Sequence, residues 1–493
     1  MRIGLKSFRG CVARAIVGCF VALALSGAAF AQGVLSCPVT TNTTLSTYPY
    51  NGDTTNPSST PNICIVQSSA TLTIAASTGG IFNVDEYVIG LGGVILNYGK
   101  IVNDGVITNG DDEGPTSGTI TNFGTLINNN ILDNTYGVLT NAGILTNFGA
   151  LQSGTVYNTA TLTNENILDA YILTNIAGAT LNNTGVFIGS GSTITNNGTF
   201  TNYEGGQVDN ESGVFLNGGT FINDGTWVNT INASFEEPGG SILTNNGTFT
   251  NNGMFTNASN GYPTVNTVVN NGIFDNNGTF TNAGILDITY GGVLSNAAGS
   301  TFVQTGGQTV VDGTLNSVPA VQIQGGVLSG TGTVNGNVNN SGGLVQPGDA
   351  PGTLTIKGNY TQGAFGTLWI ELGGTAPGDF SVLDVSGVAS LNGAVDFAAV
   401  NGFTPGTGDD FAFLNFGSLS GDFFPPLFTN WSCPAGDTCD LVYGANSVSL
   451  DILAASGTGT TTTPEPSSVL LLGIGMLALG IFQYRRLDVD GLR

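Results

Sequence analysis

The chain lacks histidine altogether and is poor in charge. Of its 493 residues, 9% are charged, and only nine are Lys or Arg, against 33 Asp or Glu. Without histidine, zinc sites that combine Cys with His are excluded, so zinc is not expected. The shortage of positive charge argues against nucleic acid and anionic membranes as partners of the exported region. Cations and neutral sugars remain compatible with such a surface.

The few basic residues are concentrated at the two ends of the chain. Four of the nine lie within the first fourteen residues, and a short apolar segment follows them and ends at Ala29-Phe30-Ala31. A basic start, a short apolar core and a small-x-small site make up a secretory signal peptide. We expect signal peptidase to recognise Ala29 and Ala31 and to remove residues 1–31. The remainder of the chain is then exported.

Four cysteines remain after that cleavage. They are Cys37, Cys64, Cys433 and Cys439. In an oxidising compartment, local pairing of Cys37 with Cys64 and of Cys433 with Cys439 is the simplest of three possible connectivities. We interpret both pairs as structural staples. Segment 32–70 is predicted to be a disulfide-closed N-terminal cap.

Segment 71–324 consists of six-residue units that share one pattern. The clearest run, 242–284, contains ILTNNG, TFTNNG, IFDNNG and TFTNAG. The first three positions favour strand, and alternation turns the second and fourth inward. The second position is large and apolar, and the fourth is Asn. Stacked Asn side chains can form an amide ladder. The Asn-x-Gly ending indicates a corner, because both residues tolerate a positive φ.

Strands this short would bury almost nothing as flat hairpins. If each side of a coil stacks on the side below, the second position is buried continuously. The hexads therefore predict an all-β fold, an Asn- and Gly-rich β-solenoid (β-helix) with three or four hexads per coil.

Three ligand or activity classes compete for the repeat region. The units Thr199/Thr201, Thr248/Thr250 and Thr279/Thr281 point two threonines outward and suggest ice binding, but they are too scattered in sequence to predict one flat face. A polysaccharide-cleaving enzyme needs convergent carboxylates, often with basic partners, and the acids here are dispersed. We therefore predict no enzymatic activity and no obligatory cofactor.

Calcium is the remaining cofactor candidate. Asp104, Asp111, Asp112 and Glu113 cluster near a turn, and calcium prefers carboxylate oxygens. A solvated acidic loop is the alternative interpretation of the same residues.

Residues 325–365 depart from the hexad pattern. The pieces Leu328-Ser329-Gly330-Thr331-Gly332, Val334-Asn335-Gly336 and Pro351-Gly352-Thr353-Leu354-Thr355 resemble the repeat near the end of autotransporter passenger domains. The resemblance implies final β-helix coils of an exported surface protein. No run of amphipathic strands for an outer-membrane barrel follows. Segment 366–453 is predicted to be a small β-rich capping module, and 454–463 (AASGTGTTTT) a flexible linker.

The last segment, 464–493, has three parts in a fixed order. Pro464-Glu465-Pro466 is followed by an apolar run at 469–482 and then by Arg485-Arg486. This arrangement resembles the PEP-CTERM sorting signal of Gram-negative bacteria, whose tail is also called an ice-binding protein C-terminal domain. The resemblance implies sorting by an exosortase in bacteria that produce exopolysaccharide, biofilms or flocs. The apolar run is predicted to be a single C-terminal helix that anchors the protein in the inner membrane before processing.

These features together predict an exported structural or adhesin-like β-solenoid of the cell surface or extracellular matrix. Exosortase-type machinery and extracellular polysaccharide are the expected partners, and nucleic acid is not. A polysaccharide-, calcium- or ice-binding solenoid is the alternative.

Overall fold

The computed structural model describes residues 43–45, 50–51, 63–74, 81–83, 94–109, 118–189, 192–211, 213–230, 241–245, 247–251, 254–257, 266–348 and 351–454. Every regular element in these ranges is a β-strand. The strands form a parallel β-solenoid, which confirms the all-β fold predicted from the hexads. The chain divides into two units, Met1–Leu453 and Ala454–Arg493, and only Ala454 of the second is described.

Each coil of the solenoid has three sides, here called faces 1, 2 and 3. Val94 on face 1 pairs with Thr119 of the next coil, Lys100 on face 2 with Thr125, and Val106 on face 3 with Ile131. The chain makes about 11 turns in the repeat region. Because each face takes one hexad, a coil contains three hexads. The shortest sequence spacing between stacked residues is 17 positions.

Face 1 consists of fourteen separate strands. They are β3 (Ile63–Val66), β6 (Val94–Asn97), β9 (Thr119–Asn122), β18 (Thr193–Asn196), β21 (Val214–Asn217), β24 (Ile242–Asn245), β27 (Thr267–Asn270), β30 (Ile285–Ile288), β33 (Gln308–Val311), β36 (Val327–Gly330), β39 (Leu344–Pro347), β42 (Thr367–Leu372), β44 (Ala394–Ala399) and β46 (Leu427–Thr429).

Face 2 is the longest uninterrupted series of short strands. They are β1 (Thr43–Leu45), β4 (Thr71–Ile74), β7 (Lys100–Asn103), β10 (Thr125–Asn128), β12 (Ile144–Asn147), β14 (Thr161–Asn164), β16 (Thr180–Asn183), β19 (Thr199–Asn202), β22 (Thr220–Asn223), β25 (Thr248–Asn251), β28 (Ile273–Asn276), β31 (Val293–Asn296), β34 (Thr314–Ser317), β37 (Thr333–Asn335) and β40 (Thr353–Ile356).

Face 3 has shorter strands and more variable corners. They are β2 (Tyr50–Asn51), β5 (Ile81–Asn83), β8 (Val106–Thr108), β17 (Val186–Ile188), β20 (Gln207–Glu211), β23 (Thr226–Thr230), β26 (Met254–Asn257), β29 (Thr279–Asn282), β32 (Thr301–Gln304), β35 (Val321–Ile323), β38 (Val338–Asn340) and β41 (Tyr360–Gln362). Five longer strands bend around a corner and serve two faces: β11 (Ile131–Asn141), β13 (Ala150–Asn158), β15 (Ile167–Asn175), β43 (Val382–Leu391) and β45 (Asp410–Gly421).

The second hexad position fills the solenoid interior, as predicted. The side chains that occupy it are at most 1% exposed, among them Ile101, Leu145, Phe200, Phe221, Trp227, Phe249, Phe255, Phe274 and Phe280. On face 2 the rings stack from coil to coil. The centroids of Phe221 and Phe249 lie 4.7 Å apart and those of Phe249 and Phe274 4.5 Å apart. Stacking adds to the free energy gained by burying the rings.

The fourth position forms the predicted Asn ladders. Along face 1, Nδ2 of Asn122 donates to Oδ1 of Asn141 at 2.8 Å, and Asn141 donates in the same way to Asn158 at 2.8 Å. The same Nδ2 of Asn141 also donates to the backbone carbonyl of Thr161. Each buried amide thus binds both the next amide and the strand that leaves the next corner, which satisfies groups that would be costly to bury alone.

The ladders have a defined first rung. Asn97 and Asn103 each donate to the next coil, but their buried Oδ1 atoms have no hydrogen-bond partner in the described residues. The preceding coil places apolar residues, Val66 and Ile74, at the stacked positions. The ladders of faces 1 and 2 therefore begin where a side-chain carbonyl has no donor in the preceding coil.

The corner glycines have a different physical role from the one expected. Gly124 and Gly143 are not among the residues with positive φ. A Cβ on Gly143 would lie 2.1 Å from the carbonyl oxygen of Gly124 in the coil below. These positions need Gly because two backbones approach closely. Positive φ occurs instead in longer corners, such as that of Gly178.

Residues 366–454 continue the coils rather than starting a separate sandwich or flared sheet. β42 pairs in parallel with β39 and β44, and β43 pairs with β40 and β45. The last elements are β47 (Asp437–Tyr443) and β48 (Ser447–Ala454). β48 pairs antiparallel with β45, so the direction of strand pairing reverses at this end. The predicted C-terminal helix lies outside the described residues.

Candidate ligand-facing surfaces

The first and third positions of each hexad point outward and create the surfaces available to a ligand. On face 2, β14, β16, β19, β22 and β25 stack in register, so that Thr161, Thr180, Thr199, Thr220 and Thr248 form one column. A parallel column two residues away contains Thr163, Asn182, Thr201, Ile222 and Thr250. We call these ten residues the threonine face.

The coil places two of the three T-x-T units on one face, which their spacing in the sequence does not predict. Thr199/Thr201 and Thr248/Thr250 both lie on face 2, whereas Thr279/Thr281 lies on face 3. Corners of unequal length separate units that stack closely in space. The signal that would have revealed this is the coil length, which the spacing of the hexads alone does not give.

Exposed aromatic side chains collect along face 1 and its corners. Tyr98 and Phe123 stack at a corner with their ring centroids 4.9 Å apart, and both rings are nearly half exposed. Tyr157 points outward from face 1, and Tyr136 and Tyr171 lie at the corner between faces 3 and 1. Aromatic rings with one open side are apolar platforms at an otherwise wet surface.

A polar cluster lies on face 1 of the last coils. Trp369 and Glu371 point outward from β42, and Asp396 of β44 is paired in register with Trp369. Gln346 donates to Oε1 of Glu371 at 3.1 Å, and the hydroxyl of Thr429 donates to Asp396 at 3.0 Å. We call these five residues the Trp369 cluster.

Both carboxyl groups of the Trp369 cluster have perturbed acidity. Partial burial raises the pKa of Glu371, and the hydrogen bonds from Gln346 and the indole of Trp369 act in the opposite direction. Burial likewise raises the pKa of Asp396, against the hydrogen bond from Thr429. Oε2 of Glu371 is buried and lacks a partner at hydrogen-bonding geometry within the described residues. The cluster therefore places two carboxyl groups and an amide beside a partly exposed indole.

A second carboxyl pair lies where β45 meets β48. Asp410 is paired with Asp451 in the antiparallel register. Burial and then repulsion from Asp451 raise the pKa of Asp410. Ser449 donates to Asp451 at 2.8 Å. Sequence reasoning missed this pair and the Trp369 cluster, because their members are distant in sequence.

Of the four calcium candidates, only Asp104 lies within the described residues. Asp104 is at an exposed corner, where Nδ2 of Asn129 donates to its carboxylate at 2.6 Å. Asp111, Asp112 and Glu113 lie outside the described residues. Across the described ranges, no group of three or more His, Cys, Asp or Glu side chains is placed to hold a metal ion.

The other predicted site residues divide between described and undescribed segments. Cys433 and Cys439 are joined by a disulfide whose Cα atoms lie 5.9 Å apart. Cys64 belongs to β3, while Cys37 lies outside the described residues. So do Ala29, Ala31, Pro464, Glu465, Pro466, Arg485 and Arg486. In the part of the chain that is described, no helix is long and apolar enough to cross a membrane.

Comparison with known families gives one match, at the C-terminal end. Residues 462–486 match the PEP-CTERM protein-sorting motif. A motif of this kind implies an exported protein that an exosortase sorts to the surface of a Gram-negative bacterium. No curated protein matches the chain.

Proposed function

We propose that the protein is a non-enzymatic scaffold of the cell surface or extracellular matrix, with an adhesin-like role. The sorting motif at 462–486 carries this proposal, because it addresses a long β-solenoid to the cell exterior. The interior supports it: apolar columns and amide ladders use the inward positions for stability and leave the outward positions to contact other molecules. Residues 1–31 act as the signal peptide, and the C-terminal apolar run holds the protein in the inner membrane until it is processed.

The direct test is the location of the protein with and without residues 464–493. Native cells that express either form are separated into inner membrane, outer surface and medium, and the protein is detected in each fraction. We expect the full chain at the surface or in the matrix and the truncated form in the periplasm. An unchanged distribution after truncation would refute sorting through this segment. A chain with Pro464, Glu465 and Pro466 replaced by Ala separates loss of the motif from loss of the apolar run.

A second function, contact with a neutral extracellular polysaccharide, is favoured by the Trp369 cluster. A partly exposed indole can stack on the C–H face of a sugar ring, because the negative face of the aromatic system attracts weakly positive hydrogens. Gln346, Glu371 and Asp396 supply donors and acceptors for sugar hydroxyls around this ring. The few polar groups around an apolar platform match the general chemistry of small-molecule sites.

Affinity electrophoresis through gels that contain a neutral polysaccharide tests this contact. We expect the wild-type protein to be retarded and Trp369→Ala to migrate as it does in an empty gel. Tyr290→Ala is the matched control, because Tyr290 is 94% exposed and lies on another coil. Equal retardation of wild type and Trp369→Ala would remove the cluster from consideration.

A further inference from the structure

The threonine face combines chemical uniformity with a two-dimensional repeat. Successive coils of a parallel β-structure lie about 4.8 Å apart, and residues two apart on a strand about 6.6 Å. Its two columns therefore present a grid that extends roughly 20 Å along the solenoid. Eight of its ten positions are Thr, and the exceptions are Asn182 and Ile222.

Within the described residues, the hydroxyl groups of this face take part in no hydrogen bond. None of its eight Thr side chains makes a hydrogen bond to another described residue. Thr201 is only 9% exposed, yet it too points outward and has no side-chain partner among the described residues. Corner threonines behave differently. The hydroxyls of Thr159 and Thr289, for example, donate to backbone carbonyls.

Strand propensity alone does not account for the threonine face. Thr suits exposed strand positions on every side of a solenoid. In the same coils, however, the outward positions of face 3 include Ile167, Asp169, Val186, Gln207 and Asp209. Face 1 is mixed at the corresponding positions: Thr155, Thr174, Thr193, Thr195 and Thr244 stand beside Tyr157, Ile172, Val214, Leu216 and Ile242. Thr is therefore most frequent on face 2, at eight of ten outward positions against five of ten on face 1.

The threonine face is also free of charge in a strongly acidic chain. The nearest charged residues at outward positions of face 2 are Lys100 upstream and Asp275 downstream. Glu165 and Glu204 lie at the corner toward face 3, outside the two columns. An uncharged ligand meets no electrostatic penalty here, whereas an ionic ligand gains nothing.

We propose that the threonine face binds the surface of an ice crystal. A ligand that uses a two-dimensional grid must itself be periodic in two dimensions, and ice is a neutral lattice of hydrogen-bond donors and acceptors. Each Thr presents a hydroxyl that can hold one water molecule of the lattice and a methyl group that limits disordered hydration beside it. The face contains no outward aromatic side chain, which separates it chemically from the Trp369 cluster. This activity goes beyond the scaffold role and does not depend on it.

Partition into slowly growing ice tests the proposal on the purified full-length protein. The fraction of protein included in ice is compared with that of an inert bystander protein in the same solution. We expect wild type to be enriched in ice, and Thr199→Tyr and Thr248→Tyr to fall to the bystander level, because a bulky ring interrupts the grid. Inhibition of ice recrystallisation should follow the same order.

Thr279→Tyr provides a matched control. Its hexad, TFTN followed by a corner, repeats the sequence of β19 and β25, but β29 belongs to face 3. This variant should retain wild-type partition. Wild-type partition equal to that of the bystander, or equal loss in Thr279→Tyr, would overturn the proposal. If a Tyr variant melts early, Thr199→Val and Thr248→Val keep the shape and remove the hydroxyls. Unchanged partition of the folded double Val variant would show that the hydroxyl groups are not required and would also overturn it.

Discussion

Nδ2 of Asn147 lies 2.7 Å from Oδ1 of Asn164, one coil further along the solenoid. The same nitrogen donates to the backbone carbonyls of Gly149 and Ile167. One buried amide therefore joins two coils and two corners. The ladder that contains it can be tested at this rung.

Asn147→Ala is expected to lower the free energy of unfolding by about 2–4 kcal/mol, because it leaves several buried polar groups unsatisfied. Asn147→Ser should cost less. Serine already serves as a rung, since Asn134 donates to Oγ of Ser153 at 3.0 Å. Denaturant titration followed by circular dichroism measures both. Asn197→Ala, at an exposed corner, is the control and should change little. Equal stability of the Asn147 and Asn197 variants would contradict the role of the ladder.

Gly143→Ala tests the close approach of backbones at the corners. The new Cβ would lie 2.1 Å from the carbonyl oxygen of Gly124, so one coil must move away from the other. We expect a loss of about 3 kcal/mol or more, in the range of severe steric substitutions. Gly406→Ala meets no atom within 4 Å and should leave the melting temperature unchanged. Similar melting of both variants would show that the coils adjust freely.

Trp227 offers a test of a buried polar atom in the apolar column. Its Nε1 is buried and has no partner in the described residues, while its ring packs between Phe221 and Phe255. Trp227→Phe removes an unsatisfied donor at the expense of some volume, so we expect a change within about 1 kcal/mol. Trp227→Ala leaves a cavity and should cost about 3–5 kcal/mol. Thermal unfolding of the two variants distinguishes these outcomes, and comparable losses would mean that the indole nitrogen is satisfied in solution.

Asp410 and Asp451 predict a dependence of stability on pH. The pKa of Asp410 is higher in the folded state than its ordinary value of 3.8, so the folded protein binds this proton more readily than the unfolded chain. The free energy of unfolding therefore falls as the pH rises above 3.8 and Asp410 has to ionise in the folded state. Asp410→Asn should therefore raise the melting temperature at about pH 7 and confer no gain below the ordinary pKa. Asp440→Asn, at an exposed position of β47, is the control. A gain that is independent of pH would point to a cause other than carboxylate repulsion.

The sequence predicts the interior of this protein better than its exterior. Phe249 and Asn251 are correctly assigned to the inside because alternation and residue type act within a single strand. Which residues share a face depends on how many residues separate successive coils. Stacked partners are 17 positions apart at Asn141 and Asn158 but 28 apart at Asn217 and Asn245. No fixed period aligns these positions.

The Trp369 cluster illustrates the same limit. Gln346 and Glu371 are 25 residues apart in sequence and hydrogen-bonded in space. The acids are dispersed along the chain, but dispersion in sequence does not exclude proximity on a face. Turn propensities indicate that a corner exists without fixing its length. Neither the threonine face nor the Trp369 cluster can therefore be predicted from the sequence without the coil length.

Because three hexads make one coil, the face on which a strand lies depends on how many hexads precede it in the chain. Loss of one hexad would shift every later strand to the neighbouring side, and Thr199 would no longer continue the column begun by Thr161. Loss of three consecutive hexads would remove a whole coil and leave the later faces in phase. Variation in length among related chains is therefore expected in whole coils or in corner loops.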